Sequence, residues 1–371
     1  MKVNKSGVSF SSIVGIGLKI KESEKKTGKK YLYLNRGVNQ VVNIDLSNIF
    51  NKIDFNSNEL QHYAPNLGIE KLRKDIANEY FNSENKNRCI YNDITIISGG
   101  MPCIDISLQV LNVKKIFFPY MYWGSYSKMA DIRCKSYDFY KSLDNFNLSE
   151  LDENTCIFIC SPSNPTGISI DKDYLLNMIQ RISNTGAIII LDCPYYRLFF
   201  QDDFFDKALI AGGENIIICE SFSKCYGLSG IRLGFIMSLN EEFNKELNIR
   251  MLYEFNGIST ISQLLLSNLI STPEGRKAIE EFQSVTTEHI EKNIQYLKDN
   301  NLLVDEVYNG SMPMGIFAII NRSEDYLFQH QIGAVGLDKF VFMNKDNWSS
   351  YSRICVSVKH ELFVSFMSKV I

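Results

Sequence analysis

The sequence predicts an α/β fold: a large part built on a mostly parallel central sheet flanked by helices, then a smaller α+β C-terminal part. Three apolar runs carry that reading, at Thr155–Cys160, 187–191 and 216–219, each closed by turn-forming or hydroxyl residues. Short continuous apolar runs read as strands buried on both faces, and the helical stretch 171–182 supplies the crossover that parallel neighbours need. In open sheets of this kind, ligands bind beyond the carboxyl ends of the strands. Asn164, Asp192 and Lys224 all fall at such ends, so three distant segments converge on one crevice.

The remaining elements follow in chain order. Residues 8–18 are apolar but diluted by serine and glycine, and no small-residue cleavage site follows, so an N-terminal arm and helix (1–41) is expected rather than a secretion signal. Lysines and glutamates alternate through 19–30, as on a solvated helix face. Tyr63-Ala64-Pro65-Asn66-Leu67-Gly68 is followed by Leu72-Arg73. Ser98-Gly99-Gly100-Met101-Pro102 opens a helix with proline in its first turn, where free N–H groups and the helix dipole suit an anion. Aromatic residues crowd 119–126, with Trp123 among them.

The stretch 221–235 holds one lysine, Lys224, among hydroxyls, glycines and Arg232. A lysine partly dried at a strand end loses its proton and attacks an aldehyde, while Ser221, Ser223 and Arg232 suit a phosphate dianion. Pyridoxal phosphate carries both groups. Further on, Thr272-Pro273 marks a helix start, and Ile279, Phe282, Ile294 and Leu297 give that helix one apolar face. Alternation over 352–358 turns Arg353 away from Ile354, Val356 and Val358.

In order and spacing, these elements resemble the class I/II aminotransferase family of fold-type I pyridoxal-phosphate enzymes, through most of the chain. The resemblance implies that Lys224 forms the internal aldimine, that Asp192 pairs with the pyridine nitrogen, and that Tyr195 and Asn164 hydrogen-bond the ring phenolate oxygen. It implies a phosphate site made by Gly99, Gly100, Met101, Ser221, Ser223 and Arg232, with Trp123 stacked on the ring. Arg353 would take the substrate α-carboxylate, with Asn164 and Gly37 beside the substrate. Tyr63 would reach the phosphate of the neighbouring subunit's cofactor, which implies a homodimer with shared sites.

The implied activity is transfer of the amino group of an L-amino acid to a 2-oxo acid. A C–S lyase or an amino-acid cyclase would begin with the same lysine, aspartate and arginine. A non-catalytic effector-binding protein of this fold is the reading from another class, and the intact Lys224 and Asp192 and the short N-terminal arm count against it. The chain departs from the family pattern at Met121, where a proline is usual, at Pro194, where a small residue is common, and at Gly100-Met101-Pro102, which replaces a small-polar run. Residues 255–260 offer no cationic clamp for a dicarboxylic side chain, which disfavours an aspartate-specific pocket.

A chain of 371 residues, 45% hydrophobic with a net charge of −3, is long enough for two domains, placed at 42–257 for cofactor binding and 258–371 for the smaller unit. Basic residues do not outnumber acidic ones (39 against 42), so nothing favours a nucleic-acid partner. Nine cysteines without CxxC spacing and four scattered histidines (His62, His289, His330, His360) point to free thiols in a reducing cytoplasm, and to no metal site. Cys225, next to Lys224, is expected to pack rather than react. No apolar run reaches the length of a membrane span.

Overall fold

The computed structural model describes residues 1–81 and 90–371, so Cys89 lies outside the described residues. Among the described residues the strands are β1 (Leu32–Tyr33), β2 (Ile94–Ile97), β3 (Lys115–Pro119), β4 (Tyr137–Tyr140), β5 (Thr155–Cys160), β6 (Ile188–Asp192), β7 (Ile216–Ser221), β8 (Gly234–Met237), β9 (Phe317–Ile320), β10 (Ile332–Gly333), β11 (Val335–Gly336) and β12 (Ser352–Cys355). The three apolar runs are neighbours in the central sheet, whose order is β2-β8-β7-β6-β5-β3-β4. Every residue of β5 and β7 is buried, as continuous Ile/Cys/Phe runs require when helices cover both faces.

The strands from β3 to β7 pair in parallel, while β8 runs antiparallel to both β7 and β2. Register puts Cys160, Asp192 and Cys219 at one level across the sheet. The chain leaves β3 outward to β4 and returns on its other side as β5, so strand progression reverses between β3 and β5. Ligands bind at such a switch point. The crossover helix after β5 spans Lys172–Ser183, capped by the Asp171 carboxylate accepting from Tyr174 N–H at 2.9 Å.

A smaller antiparallel sheet, β11-β12-β9, follows the long helix Pro273–Asp299. Thr272 caps that helix by accepting from Gly275 N–H at 3.2 Å, with Pro273 in the first turn. Twenty-seven residues make a rod about 40 Å long. It joins two apolar cores, because Ile279 packs into the core of the large sheet while Phe282, Ile290, Ile294 and Leu297 pack into that of the small one.

The first helix, Ser12–Thr27, buries Ile16 and Ile20 and leaves most of its lysines and glutamates in solvent. The segment after it turns back onto the C-terminal part, where β1 pairs in parallel with β10. That pairing brings residues 35–38 to the mouth of the crevice between the two sheets. No described helix is long and apolar enough to cross a membrane.

Candidate active site

At the carboxyl ends of β3, β5, β6 and β7 lies a cavity of about 390 Å³. Lys224, Asp192, Tyr195, Asn164, Trp123, Gly100, Met101, Ser221, Ser223, Arg232, Gly37 and Arg353, all singled out from sequence, line it. Gly99 sits directly behind, and Tyr63 lies outside the cavity of its own chain, 84% exposed. A roomier cleft of about 570 Å³ lies between the turn at 198–201 and the long helix, but it has no lysine, arginine or buried carboxylate in its walls. Size alone does not find the site.

Chain reversal builds the anion-binding end. Leaving β7, the chain forms a short helix, Phe222–Cys225, and returns as β8, which pairs Gly234 with Ser221. The return swings Arg232 back toward the start of helix Gly100–Val110, where it donates to Ser98 O at 3.3 Å and Ser229 O at 3.0 Å. Gly99 has φ +105°, and a Cβ there would lie 2.6 Å from Arg232 Nη2. Only glycine leaves that space open. The result is a cup of helix N–H groups, two serine hydroxyls and a guanidinium, a donor set that fits a phosphate dianion.

The opposite requirement is set at Asp192. Its carboxyl group is buried and its hydrogen-bond partner is the Tyr126 hydroxyl, which donates to Oδ2. Burial pushes its pKa up to about 7, with the Tyr126 hydrogen bond pulling the other way. No salt bridge joins it to a described cation. An anion so placed favours a cationic group beside it.

Lys224 is only partly exposed and donates to the Gly37 carbonyl. Burial lowers its pKa to about 8, against a raising influence of Cys355 and with further lowering by Arg353 and Arg232. Gly37 can approach because it lacks a side chain; a Cβ there would sit 2.5 Å from Phe317 Cζ. The amine is therefore neutral in part near physiological pH, the state that acts as nucleophile and base.

Arg353, 1% exposed, is held between the rings of Phe317 and Phe340, 4.2 and 4.7 Å from its Cζ. Strand β12 is buried on both faces, so alternation there separates the site from the core rather than solvent from the core. Nη1 donates to Asn164 Oδ1 at 3.0 Å, Nη2 donates to the Asn35 carbonyl, and Nε has no hydrogen-bond partner. Burial lowers its pKa to about 10, which still leaves it charged at neutral pH. Asn164 Nδ2 donates to the Tyr195 hydroxyl at 3.4 Å, so one amide links the arginine to the tyrosine.

Two site features escaped the sequence reading. Tyr126 stands three residues after Trp123, one helical turn on, and the two rings meet edge-on at 5.6 Å. That spacing was the available signal. Glu220 is wholly buried next to Ser221 and accepts the Ser221 N–H at 2.7 Å, with burial pushing its carboxyl well above the ordinary range. Cys225 is buried with its thiol donating to Ser221 O at 3.4 Å, a packing role as expected.

An open α/β sheet with a drying lysine, a buried carboxylate and a phosphate cup at its strand ends defines a pyridoxal-phosphate-type site on a fold-type I scaffold. The family model for class I and II aminotransferases matches residues 39–327, and the chain belongs to that family. Pyridoxal 5′-phosphate is the cofactor of this family. A probable aspartate aminotransferase of Methanocaldococcus jannaschii is 27% identical over 202 residues, 51% of this chain and 52% of that protein. An LL-diaminopimelate aminotransferase of Lawsonia intracellularis is 27% identical over 72% of this chain and 68% of that protein. The chain thus spans only about half the length of the first of these relatives. The aspartate aminotransferase of Thermus thermophilus solved with maleate superposes with a TM-score of 0.83 at 16% identity, covering 100% of this chain and 99% of that one, a likeness of fold.

Proposed function

We propose that this protein is a pyridoxal 5′-phosphate-dependent aminotransferase that moves the amino group of an L-amino acid to a 2-oxo acid. The observation that carries the reading is one cavity with two opposed demands: the buried Asp192 carboxyl, unpaired with any described cation, and the cup of Gly99, Gly100, Met101, Ser221, Ser223 and Arg232. Such a site suits a ligand cationic in its ring and dianionic at its phosphate. When bound, the cofactor supplies an aldehyde for the amine and an electron-withdrawing ring.

The chain's own groups do the rest. Asp192 would face the ring cation, and two unit charges about 4 Å apart attract by on the order of 4 kcal/mol at an effective dielectric of about 20, before desolvation. Tyr126 holds that carboxylate in place, and Tyr195 with Asn164 would present donors to an oxygen on the ring. Trp123, in the cavity wall, would close one face of the ring. Arg353 grips the substrate α-carboxylate in the planar, forked manner that lysine lacks. With the substrate so held, Lys224 Nζ takes the proton from its Cα.

We also read the protein as a cytoplasmic homodimer, with a large unit over 42–257 and a small one over 258–371. The exposed Tyr63 is the residue each chain lends to its partner's phosphate. Mixing Lys224→Ala chains with Tyr63→Phe chains should restore activity above the sum of the two parents, because each heterodimer regains one intact site. A fully active monomer would overturn the shared-site reading.

The activity itself is tested by incubating the holoenzyme with a panel of amino acids and 2-oxoglutarate or pyruvate. New amino and oxo acids in equal amounts are expected. Ammonia or sulfide without a new amino acid would replace transfer by elimination.

A further inference from the structure

We propose that the cleft between the turn at 198–201 and the long helix Pro273–Asp299 binds a linear aliphatic dication, a run of methylene groups with an ammonium at each end. The cleft shares no lining residue with the cavity that holds Lys224, so this is a second ligand site and not a subsite of the first.

Shape sets the form of the occupant. The cleft encloses about 570 Å³, within the size range of small-molecule sites. One wall is a single stripe of the long helix, on which Gln283, Thr287, Ile290 and Ile294 recur at the three- and four-residue spacing of one face. Leu198, Phe199 and Phe200 give the facing wall its apolar surface, and the loop before β9 adds Pro313 and Met314. Because the stripe runs from residue 280 to 295, the cleft extends about 22 Å along the helix axis. An extended chain follows such a trough; a compact ligand leaves much of it wet.

The floor is in place before any ligand arrives. Gln283, itself buried, accepts from Gln201 Nε2 at 3.1 Å and donates to the carbonyls of Arg197 at 2.8 Å and Cys225 at 3.1 Å. Thr287 turns its hydroxyl back onto Gln283 O at 2.8 Å. These polar groups are satisfied within the protein, so the floor offers an occupant mainly apolar contact and needs no rearrangement to do so.

Charge gives the occupant its ends. The charged residues in the lining are Glu280 and Glu291, with no lysine or arginine among them. Both glutamates are exposed, and neither makes a hydrogen bond or ion pair with a described residue, whereas Glu281 and Glu288 on the same helix pair with Lys277 and Lys292. Glu280 and Glu291 stand on one face, about three turns and about 16 Å apart. A dication of that length meets both carboxylates while its methylene groups cover Phe199, Phe200, Ile290 and Ile294. A monocation meets only one of them, and an anion is repelled by both.

Quaternary ammonium salts test this, because they carry no N–H and cannot condense with an aldehyde in the other cavity. Titration calorimetry on the purified protein at low salt would compare decamethonium, whose linker approaches the span between the two glutamates, with the shorter hexamethonium and the monocation decyltrimethylammonium. Decamethonium is expected to bind about 3- to 5-fold tighter than either. Glu280→Gln with Glu291→Gln should reduce it to the affinity of the monocation, and Ser284→Trp, which fills the cleft and leaves both carboxylates in place, should weaken it at least about tenfold. All three positions are exposed on the helix, so the variants should melt as the native protein does. Equal affinities for the three salts in the native protein would overturn the inference. Decamethonium binding unchanged by the double glutamine variant or by Ser284→Trp would also overturn it, by placing the ligand elsewhere. So would an absence of binding in the native protein, as a cleft filled by a second copy of the chain would produce.

Discussion

Lys224→Ala should lower amino transfer by about three to five orders of magnitude while leaving the fold intact. The side chain ends in the cavity rather than in a core, and its hydrogen-bond partner, the Gly37 carbonyl, faces the same space and can take a water instead. On the proposed reading, its removal takes away both the covalent anchor and the base. Borohydride treatment of the native holoenzyme, followed by peptide mapping, should fix the pyridoxyl group on Lys224. An adduct on another lysine, or a Lys224→Ala enzyme with near-native turnover, would refute the assignment. The lowered pKa adds a pH signature. With an amine titrating at about 8, the neutral fraction rises about tenfold between pH 7 and pH 9, and the rate of cofactor capture by the cofactor-free protein should rise with it. A fully charged lysine titrating near its ordinary value would still be climbing steeply above pH 9.

Asp192→Asn is expected to lower turnover about 100- to 1000-fold and, at the same time, to stabilise the cofactor-free protein at alkaline pH. The two effects have one cause. In the folded protein without cofactor, the carboxyl is buried and titrates at about 7, above its ordinary 3.8. A group whose folded pKa is raised contributes stability that is complete below the unfolded pKa and is lost as pH climbs through the folded one, here from about pH 4 to about pH 7. Above that window the native chain carries a buried carboxylate costing up to about 4 kcal/mol. The amide carries no such cost and can still accept from Tyr126. Denaturant midpoints of the two cofactor-free proteins should therefore converge near pH 4 and diverge in favour of the amide variant at pH 8. Near-native turnover in the variant would mean that the ring needs no anion opposite it, and a midpoint difference unchanged with pH would mean that Asp192 is already ionised or solvated.

Most of what lies within one short window of the chain was legible in advance. The continuous apolar runs became β5, β6 and β7, Thr272 caps the long helix, and the apolar face of that helix is buried as its spacing required. These features are local. A run of apolar residues, a capping side chain or a 3.6-residue period acts between neighbours in sequence, so it can be read without knowing what lies across the cavity.

The contacts that shape the cavity span much greater distances along the chain. Lys224 meets Gly37, Arg353 meets Asn35, and Tyr126 meets Asp192, each through a pairing that no local pattern announces. The direction of β8 belongs here as well, since its antiparallel return is what sets Arg232 beside Ser98 and behind Gly99. The same holds for the β1–β10 pairing, after which Gly37 reaches the cavity wall beside Lys224. Sequence alone determined that β5, β6 and β7 form, and that Asn164, Asp192 and Lys224 follow at or just beyond their ends, because those follow from burial pattern and turn chemistry. Tertiary structure alone decided which partners these groups meet and how far burial shifts their protonation, because desolvation and hydrogen-bond partners depend on segments that meet only when the sheets close around the cavity.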